Sequence, residues 1–225
     1  MWEPEVLGAH DHFVKCMAVL PDGRLVSADE NRYANIWPMT GGAPVRLEGH
    51  RDAISVLVPV GSDKLVTGSW DRTIALWHTG TGERIRRYRG HIDRVDRVAV
   101  CQRTSTLISA DESGLICEFR LRDGTPLSTW ACHDNRVRAL VVDGDGWISV
   151  GDDGKMVRRR WTDTEPQVIL EWDTPIYSVL FSYKDRAIVA ADACRRPFVL
   201  HSGGVGRGRC PYSRRSILAV RPVVA

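Results

Sequence analysis

The sequence predicts an all-β chain of five successive four-stranded units, and three observations carry that prediction. Histidines recur at His10, His50, His91 and His133, at spacings of 40, 41 and 42 residues. Four residues after each comes a β-branched apolar residue, Val14, Ile54, Val95 or Val137, and Ile176 keeps the same register four after Trp172. Between these marks short apolar runs alternate with turns rich in Gly and Asp. A fixed period of ~40 residues signals a repeat architecture in which each repeat is one supersecondary unit. Period-two alternation between such turns reads as short antiparallel strands.

The first unit, about residues 7–48, starts its first strand after His10, turns at Pro21-Asp22-Gly23, resumes at Leu25-Val26-Ser27, and ends a third strand at Trp37 and a fourth at Val45-Arg46-Leu47. The second, 49–89, repeats this order with Ile54 to Val58, Gly61-Ser62-Asp63, Leu65-Val66-Thr67, Trp77 and Ile85 to Tyr88. The third, 90–131, carries Leu107-Ile108-Ser109 and an aromatic at Phe119. The fourth, 132–171, carries the turn Asp143-Gly144-Asp145-Gly146, then Trp147-Ile148-Ser149 and Trp161. The fifth, 172–200, ends on Phe198-Val199-Leu200, and its Ala190, Cys194 and Leu200 keep only the apolar pattern. From residue 201 the pattern stops. Residues 201–225 are rich in Gly and Arg and hold no acid, so they read as an irregular basic tail or as a truncated product ending in foreign frame.

The second unit holds Gly49-His50 and then Leu65-Val66-Thr67-Gly68-Ser69-Trp70-Asp71-Arg72-Thr73-Ile74-Ala75-Leu76-Trp77. In this it resembles a WD40 repeat, and the spacing extends the resemblance over about residues 7–200. The resemblance implies a β-propeller of five four-stranded blades, or an incomplete piece of a seven-bladed ring, which at ~40 residues per blade needs roughly 280 residues. Residues 2–7, chiefly Glu5-Val6-Leu7 with Trp2 nearby, would supply the closing strand.

The resemblance also implies a buried network in each repeat that joins the histidine, a hydroxyl on the second strand, an Asp in the next turn and the tryptophan. Such polar groups are buried only when they satisfy one another. The second repeat has the whole set in His50, Thr67 or Ser69, Asp71 and Trp77. The first has His10, Ser27 and Trp37, with Asn31 in the aspartate position. The fourth has His133, Ser149, Asp153 and Trp161, with an Asp-to-Trp gap of eight residues against six in the second, which points to a bulge or shifted register. The third has His91 and Ser109 but Ser113 and Phe119, a combination expected not to form the network. His, Asp and Ser also compose hydrolase triads, but a triad occurs once in a chain and this set recurs. The histidines are therefore structural, and no catalytic residue is assigned.

Other chemistry is thin. The sequence contains no GxSxG, GxxxxGK[ST] or HExxH motif, and its six cysteines form no CxxC pair; no enzyme activity, metal site, cofactor or small-molecule substrate is expected. The cysteines read as buried reduced thiols. The net charge of +3 includes the tail's five arginines, which leaves residues 1–200 at −2, and a body near neutrality argues against nucleic acid as the main partner. The acidic start Met1-Trp2-Glu3-Pro4-Glu5 lacks a signal-peptide layout, and no apolar run reaches the ~20 residues of a membrane helix. The expectation is an intracellular chain, cytoplasmic or nuclear.

Propellers present loops on a rigid scaffold at their rims. Positions three and five after each histidine, and those just before the turn acid, supply Lys15, Trp70, Arg94, Asp96, Arg136, Arg138 and Tyr177 as candidate partner-binding residues. Arginines and aromatics dominate the energetic centres of protein interfaces. The expected function is a non-catalytic scaffold or adaptor for other proteins. The alternative is an RNA-associated propeller using Arg94, Arg136, Arg138, the run Arg158-Arg159-Arg160 (read as a solvated strand edge) and the tail.

Overall fold

A computed structural model describes residues 6–182, 187–193 and 197–201. Among them lie nineteen strands and no helix, arranged in five antiparallel sheets. Sheet 1 holds β1 (Val14–Val19), β2 (Leu25–Asp29), β3 (Tyr33–Trp37) and β4 (Val45–Glu48) in chain order. Sheet 2 holds β5 (Ile54–Val60), β6 (Lys64–Ser69), β7 (Thr73–His78) and β8 (Arg84–Arg89). Sheet 3 holds β9 (Val95–Cys101), β10 (Thr106–Asp111), β11 (Leu115–Arg120) and β12 (Pro126–Ala131). Sheet 4 holds β13 (Val137–Val142), β14 (Gly146–Gly151), β15 (Lys155–Arg160) and β16 (Gln167–Glu171). Sheet 5 holds β17 (Ile176–Ser182), β18 (Ala187–Asp192) and β19 (Pro197–His201). The sequence expects a closing strand over residues 2–7; Val6 and Leu7 are not in a strand, and residues 2–5, like the tail from 202, lie outside the described residues.

The chain divides into two compact units, one built on β1 to β10 with Cys117–Thr129, the other on β13 to β19 with Glu112–Ile116. In the first unit β5 packs on β1 and β9 on β5. Val26, Ile36 and Leu47 of sheet 1 meet Ile54, Leu65 and Trp77 of sheet 2 in one buried cluster. In the second unit Ile148, Met156 and Leu170 of sheet 4 meet Ile176, Val179 and Ile188 of sheet 5. Each large side chain buried this way contributes ~1.5–3 kcal/mol. Burial depends on the neighbour more than on the strand. Leu57, seven after its histidine, is 8% exposed on β5, whereas Met17, at the same place on β1, is 66% exposed.

The turns between second and third strands are built alike. Arg32, Arg72, Gly114 and Gly154 all take positive φ there, at 71°, 67°, 89° and 74°. At Gly114 and Gly154 a Cβ would also collide with the carbonyl oxygens of His133 and Trp172, so glycine is required twice over. The run Arg158 to Arg160 is not a solvated edge: β15 is an inner strand, paired with β14 and β16, and Arg158 Nη2 lies 2.5 Å from Asp143 Oδ2.

Candidate functional site

In the second repeat His50 Nε2 lies 2.7 Å from Thr67 Oγ1, and His50 Nδ1 lies 3.0 Å from Asp71 Oδ2. Trp77 Nε1 donates to the same Thr67 Oγ1 at 2.9 Å. Thr67 Oγ1 is thus shared by the indole and the imidazole, and the Asp71 carboxylate, which can only accept, takes the proton on His50 Nδ1. Asp71 also accepts from the backbone N–H of Arg51 and Thr73 and from Thr73 Oγ1. Burial pushes its carboxyl up, but the His50 and Thr73 hydrogen bonds outweigh that and hold it well below the usual range. Ser69 takes no part in the histidine contact; its hydroxyl donates to Asp52 O and accepts from the Asp71 N–H.

The first repeat uses another carboxylate than the expected position. His10 Nε2 and Trp37 Nε1 reach Ser27 Oγ at 2.6 and 2.7 Å, and His10 Nδ1 lies 3.2 Å from Asp29 Oδ2. Asn31 is not the acid's substitute. Its backbone N–H donates to Asp29 Oδ1 at 2.8 Å, so it caps the carboxylate that faces His10; Asp29 Oδ2 and the imidazole Nδ1 are close without a hydrogen bond between them.

The third repeat, expected to lack the network, forms its histidine–hydroxyl–carboxylate part with Asp111 as the acid, and lacks only the indole arm, because Phe119 has no N–H. His91 Nε2 lies 2.7 Å from Ser109 Oγ and Nδ1 lies 2.9 Å from Asp111 Oδ2. Burial drives this imidazole towards neutrality, but the Asp111 hydrogen bond outweighs it, helped by Cys117 Sγ at 3.9 Å, and the pKa rises to about 9. In the fifth repeat Trp172 Nε1 donates to Asp192 Oδ2 at 3.2 Å, so the tryptophan in the histidine's place keeps the carboxylate contact. The missed signal was the tetrapeptide Ser-Ala-Asp-Glu, which stands at 27–30 and again at 109–112, with Ala190-Ala191-Asp192 as its echo.

The fourth repeat joins His133 Nε2 to Ser149 Oγ at 2.8 Å and Nδ1 to Asp153 Oδ1 at 3.0 Å. Trp161 is not its aromatic. In the second repeat Trp77 pairs across from Leu65; in the fourth Arg159 pairs across from Trp147. Strand β15 begins two residues after Asp153, as β7 begins two after Asp71, so the sixth residue on is Arg159. Trp161 lies one residue beyond the strand, with Nε1 donating to Gly144 O at 3.1 Å. The fully buried indole here is Trp147, whose ring centroid is 6.1 Å from that of Trp130, and the Arg159 guanidinium lies 4.8 Å over Trp130.

The candidate partner-binding residues gather in two groups, one per unit. In the first unit the half-buried Trp70 ring has Lys15 Nζ 4.9 Å and Arg94 Cζ 4.5 Å from its centroid, and its Nε1 donates to Asp96 Oδ1 at 3.3 Å. Lys15 also pairs with Glu30 at 2.7 Å. In the second unit Arg138 makes a bidentate pair with Asp152 at 2.6 and 2.7 Å and lies 5.2 Å over Tyr177, while Arg136 pairs with Glu112 at 3.4 Å. Cations stacked on aromatic rings are held, not free.

Residues 3–38 and 43–78 match the family described as WD domain, G-beta repeat. WD repeat-containing protein 41 of Mus musculus is 26% identical over 207 residues, covering 88% of this chain and 44% of its own. Nuclear distribution protein PAC1 of Coccidioides posadasii (strain C735) is 29% identical over 180 residues, covering 65% of this chain and 38% of its own. The chain thus spans less than half the length of these relatives. Among solved structures, the WD40 beta propeller domain of Doa1 superposes with a TM-score of 0.70 at 24% identity, over 86% of this chain and 65% of that one. WD40 propellers are in general non-catalytic interaction platforms. The recurrent four-stranded sheets, the repeated histidine network and these likenesses together show WD40 repeats at residues 3–38 and 43–78 and a fold of the WD40 β-propeller type.

Proposed function

We propose that this chain is a non-catalytic scaffold that binds partner proteins through Trp70, Lys15, Arg94 and Asp96 in the first unit and, as a separate surface, through Arg136, Arg138 and Tyr177 in the second. The observation that carries the reading is Trp70, a half-buried indole held between two cations and anchored through its N–H to a buried carboxylate. An aromatic preorganised in this way presents contact area at little entropic cost on binding. No catalytic step is assigned to the histidines, because each is committed to a hydroxyl and a carboxylate inside its own repeat. The RNA-associated reading finds less support: Arg138 and Arg158 are already neutralised by Asp152 and Asp143. An intracellular setting, cytoplasmic or nuclear, belongs to the same proposal and is supported by free thiols at Cys101 and Cys117 and by Cys16, whose thiol burial pushes up to about 12.

Trp70→Ala with Arg94→Ala tests it by affinity capture and mass spectrometry beside a melting curve. The expected result is at least about a tenfold loss of captured protein with unchanged melting. Unchanged capture rejects the reading. Binding to RNA that weakens steeply with salt would favour the alternative.

A further inference from the structure

Four strands end the four-stranded sheets on the side of the fourth element: β4, β8, β12 and β16. An edge strand offers a row of main-chain donors and acceptors to any chain that can lie beside it. These edges differ in charge. Strand β4 (VRLE) balances one Arg with one Glu, β12 (PLSTWA) has no charge and begins with proline, and β16 (QVILE) has one Glu. Strand β8 (RIRRYR) has four arginines and no acid.

A bulge sets where they point. Across from β8, Thr73 pairs with Arg89, Ala75 with Arg87 and Trp77 with Arg84, and the register shifts between Leu76 and Trp77. Skipping Ile85 brings Arg84 onto the same face as Arg87 and Arg89, as bulges re-aim side chains elsewhere. Arg84 and Arg87 both donate to the carbonyl of Gly49, and Arg51 follows two residues later in the chain. On the other face Arg86 donates to Asp123 O and Tyr88 to Leu121 O, so that side is occupied.

Two neutral-oxygen contacts do not discharge this cluster. Nearby carboxylates are engaged elsewhere: Glu48 with Arg46, Asp71 within the His50 network, Asp123 with Arg120 and Thr125. Among the described residues no carboxylate pairs with Arg51, Arg84, Arg87 or Arg89. The Nε of Arg87 is buried with no acceptor, and burial followed by the Arg84, Arg89 and Arg51 charges holds its guanidinium below the usual range against the opposing pull of the Asp71 carboxylate.

We propose that the β8 edge docks an extended acidic segment of a partner polypeptide, which adds a strand by main-chain pairing and sets carboxylates at alternate positions against Arg84, Arg87, Arg89 and Arg51. Charge complementarity selects this occupant. A second copy of β8 is repelled by the same arginines, and an apolar strand leaves them undischarged. The Trp70 ring stacks with Lys15 and Arg94 and not with these four arginines, so the two readings are tested by different variants.

The probes are a fluorescein-labelled peptide of alternating Thr and Glu, its Thr-Gln counterpart, a Thr-Glu peptide with a central proline, and a single-stranded oligonucleotide of equal charge, all read by anisotropy on the full chain. Binding is expected for the Thr-Glu peptide alone, with the proline version weakened because it blocks main-chain pairing. Arg87→Glu with Arg89→Glu is expected to lower affinity at least about tenfold, while Arg103→Gln, an exposed arginine in the β9–β10 turn, leaves it unchanged. If the double variant does not fold, the exposed pair Arg51→Gln with Arg89→Gln is read instead, with loss of at least about threefold. The proposal is overturned if the Thr-Glu peptide does not bind, if the Gln or proline peptide binds as well, if the oligonucleotide binds more tightly, or if the arginine variants bind like the parent.

Discussion

Repeats 2 and 3 solve one problem from different directions. Both hold a buried imidazole between a hydroxyl on the second strand and a carboxylate at Nδ1. In repeat 2 the carboxylate is Asp71, four residues after Thr67 and beyond the strand end; in repeat 3 it is Asp111, two after Ser109 and still within β10. Repeat 4 follows repeat 2 with Asp153, and repeat 1 follows repeat 3 with Asp29. What the fold requires is a negative oxygen about 3 Å from Nδ1, and a strand end or the adjoining turn delivers it equally well. The difference is in what else reaches the hydroxyl. In repeat 2 the Trp77 indole donates into Thr67 Oγ1. In repeat 3 Phe119 has no N–H, so Ser109 Oγ is open to a donor on Nε2 while its own proton turns to Cys117 O at 3.4 Å. A doubly protonated His91 fits that arrangement, in keeping with its raised pKa.

The largest effect tests where repeat 4 departs from repeat 2. Trp147→Ala empties a fully buried slot and is expected to cost about 4 kcal/mol by chemical denaturation. Trp161→Ala removes a peripheral indole with one carbonyl contact and is expected to cost about 1 kcal/mol. Equal losses would return Trp161 to the network.

Opposite pH responses sharpen the contrast between repeats 2 and 3. Asp71 titrates below its unfolded value, so its stabilisation is present above the usual carboxylate range and is lost as pH falls through the folded value. His91 titrates above its unfolded value, so its stabilisation is complete below about 6.5 and is lost as pH rises to about 9. The parent is expected to lose about 3 kcal/mol over that alkaline window. In Asp111→Asn the alkaline loss should disappear, and melting curves between pH 6 and 9 read both. An alkaline slope that survives in Asp111→Asn would remove His91 as its source.

The fold was legible because period and alternation are properties of the chain itself: His10, His50, His91 and His133 mark the sheets in order, and the alternating runs are the strands. The partners of those histidines were legible only where the aspartate stands in the turn, as at Asp71 and Asp153. Asp29 and Asp111 lie inside strands two residues after Ser27 and Ser109, on the same face by alternation, but the resemblance directs attention to the turn positions, Asn31 and Ser113, instead. The arginine face of β8 depends on a bulge, and spacing alone puts Arg84 with Arg86.

The smallest effect decides the reading of repeat 1. Asn31 contributes a backbone N–H to Asp29 Oδ1, and a backbone donor survives truncation of the side chain, so Asn31→Ala is expected to change stability by less than about 0.5 kcal/mol. Asp29→Ala leaves the His10 imidazole without its facing carboxylate and Asn31 N–H without its acceptor, and is expected to cost about 2 kcal/mol. The pair is informative because both changes lie in one turn, two residues apart, where solvent and backbone context are shared. If Asn31→Ala costs as much as Asp29→Ala, the amide side chain takes part in the network, and the distinction between strand-end and turn carboxylates no longer holds for the first repeat.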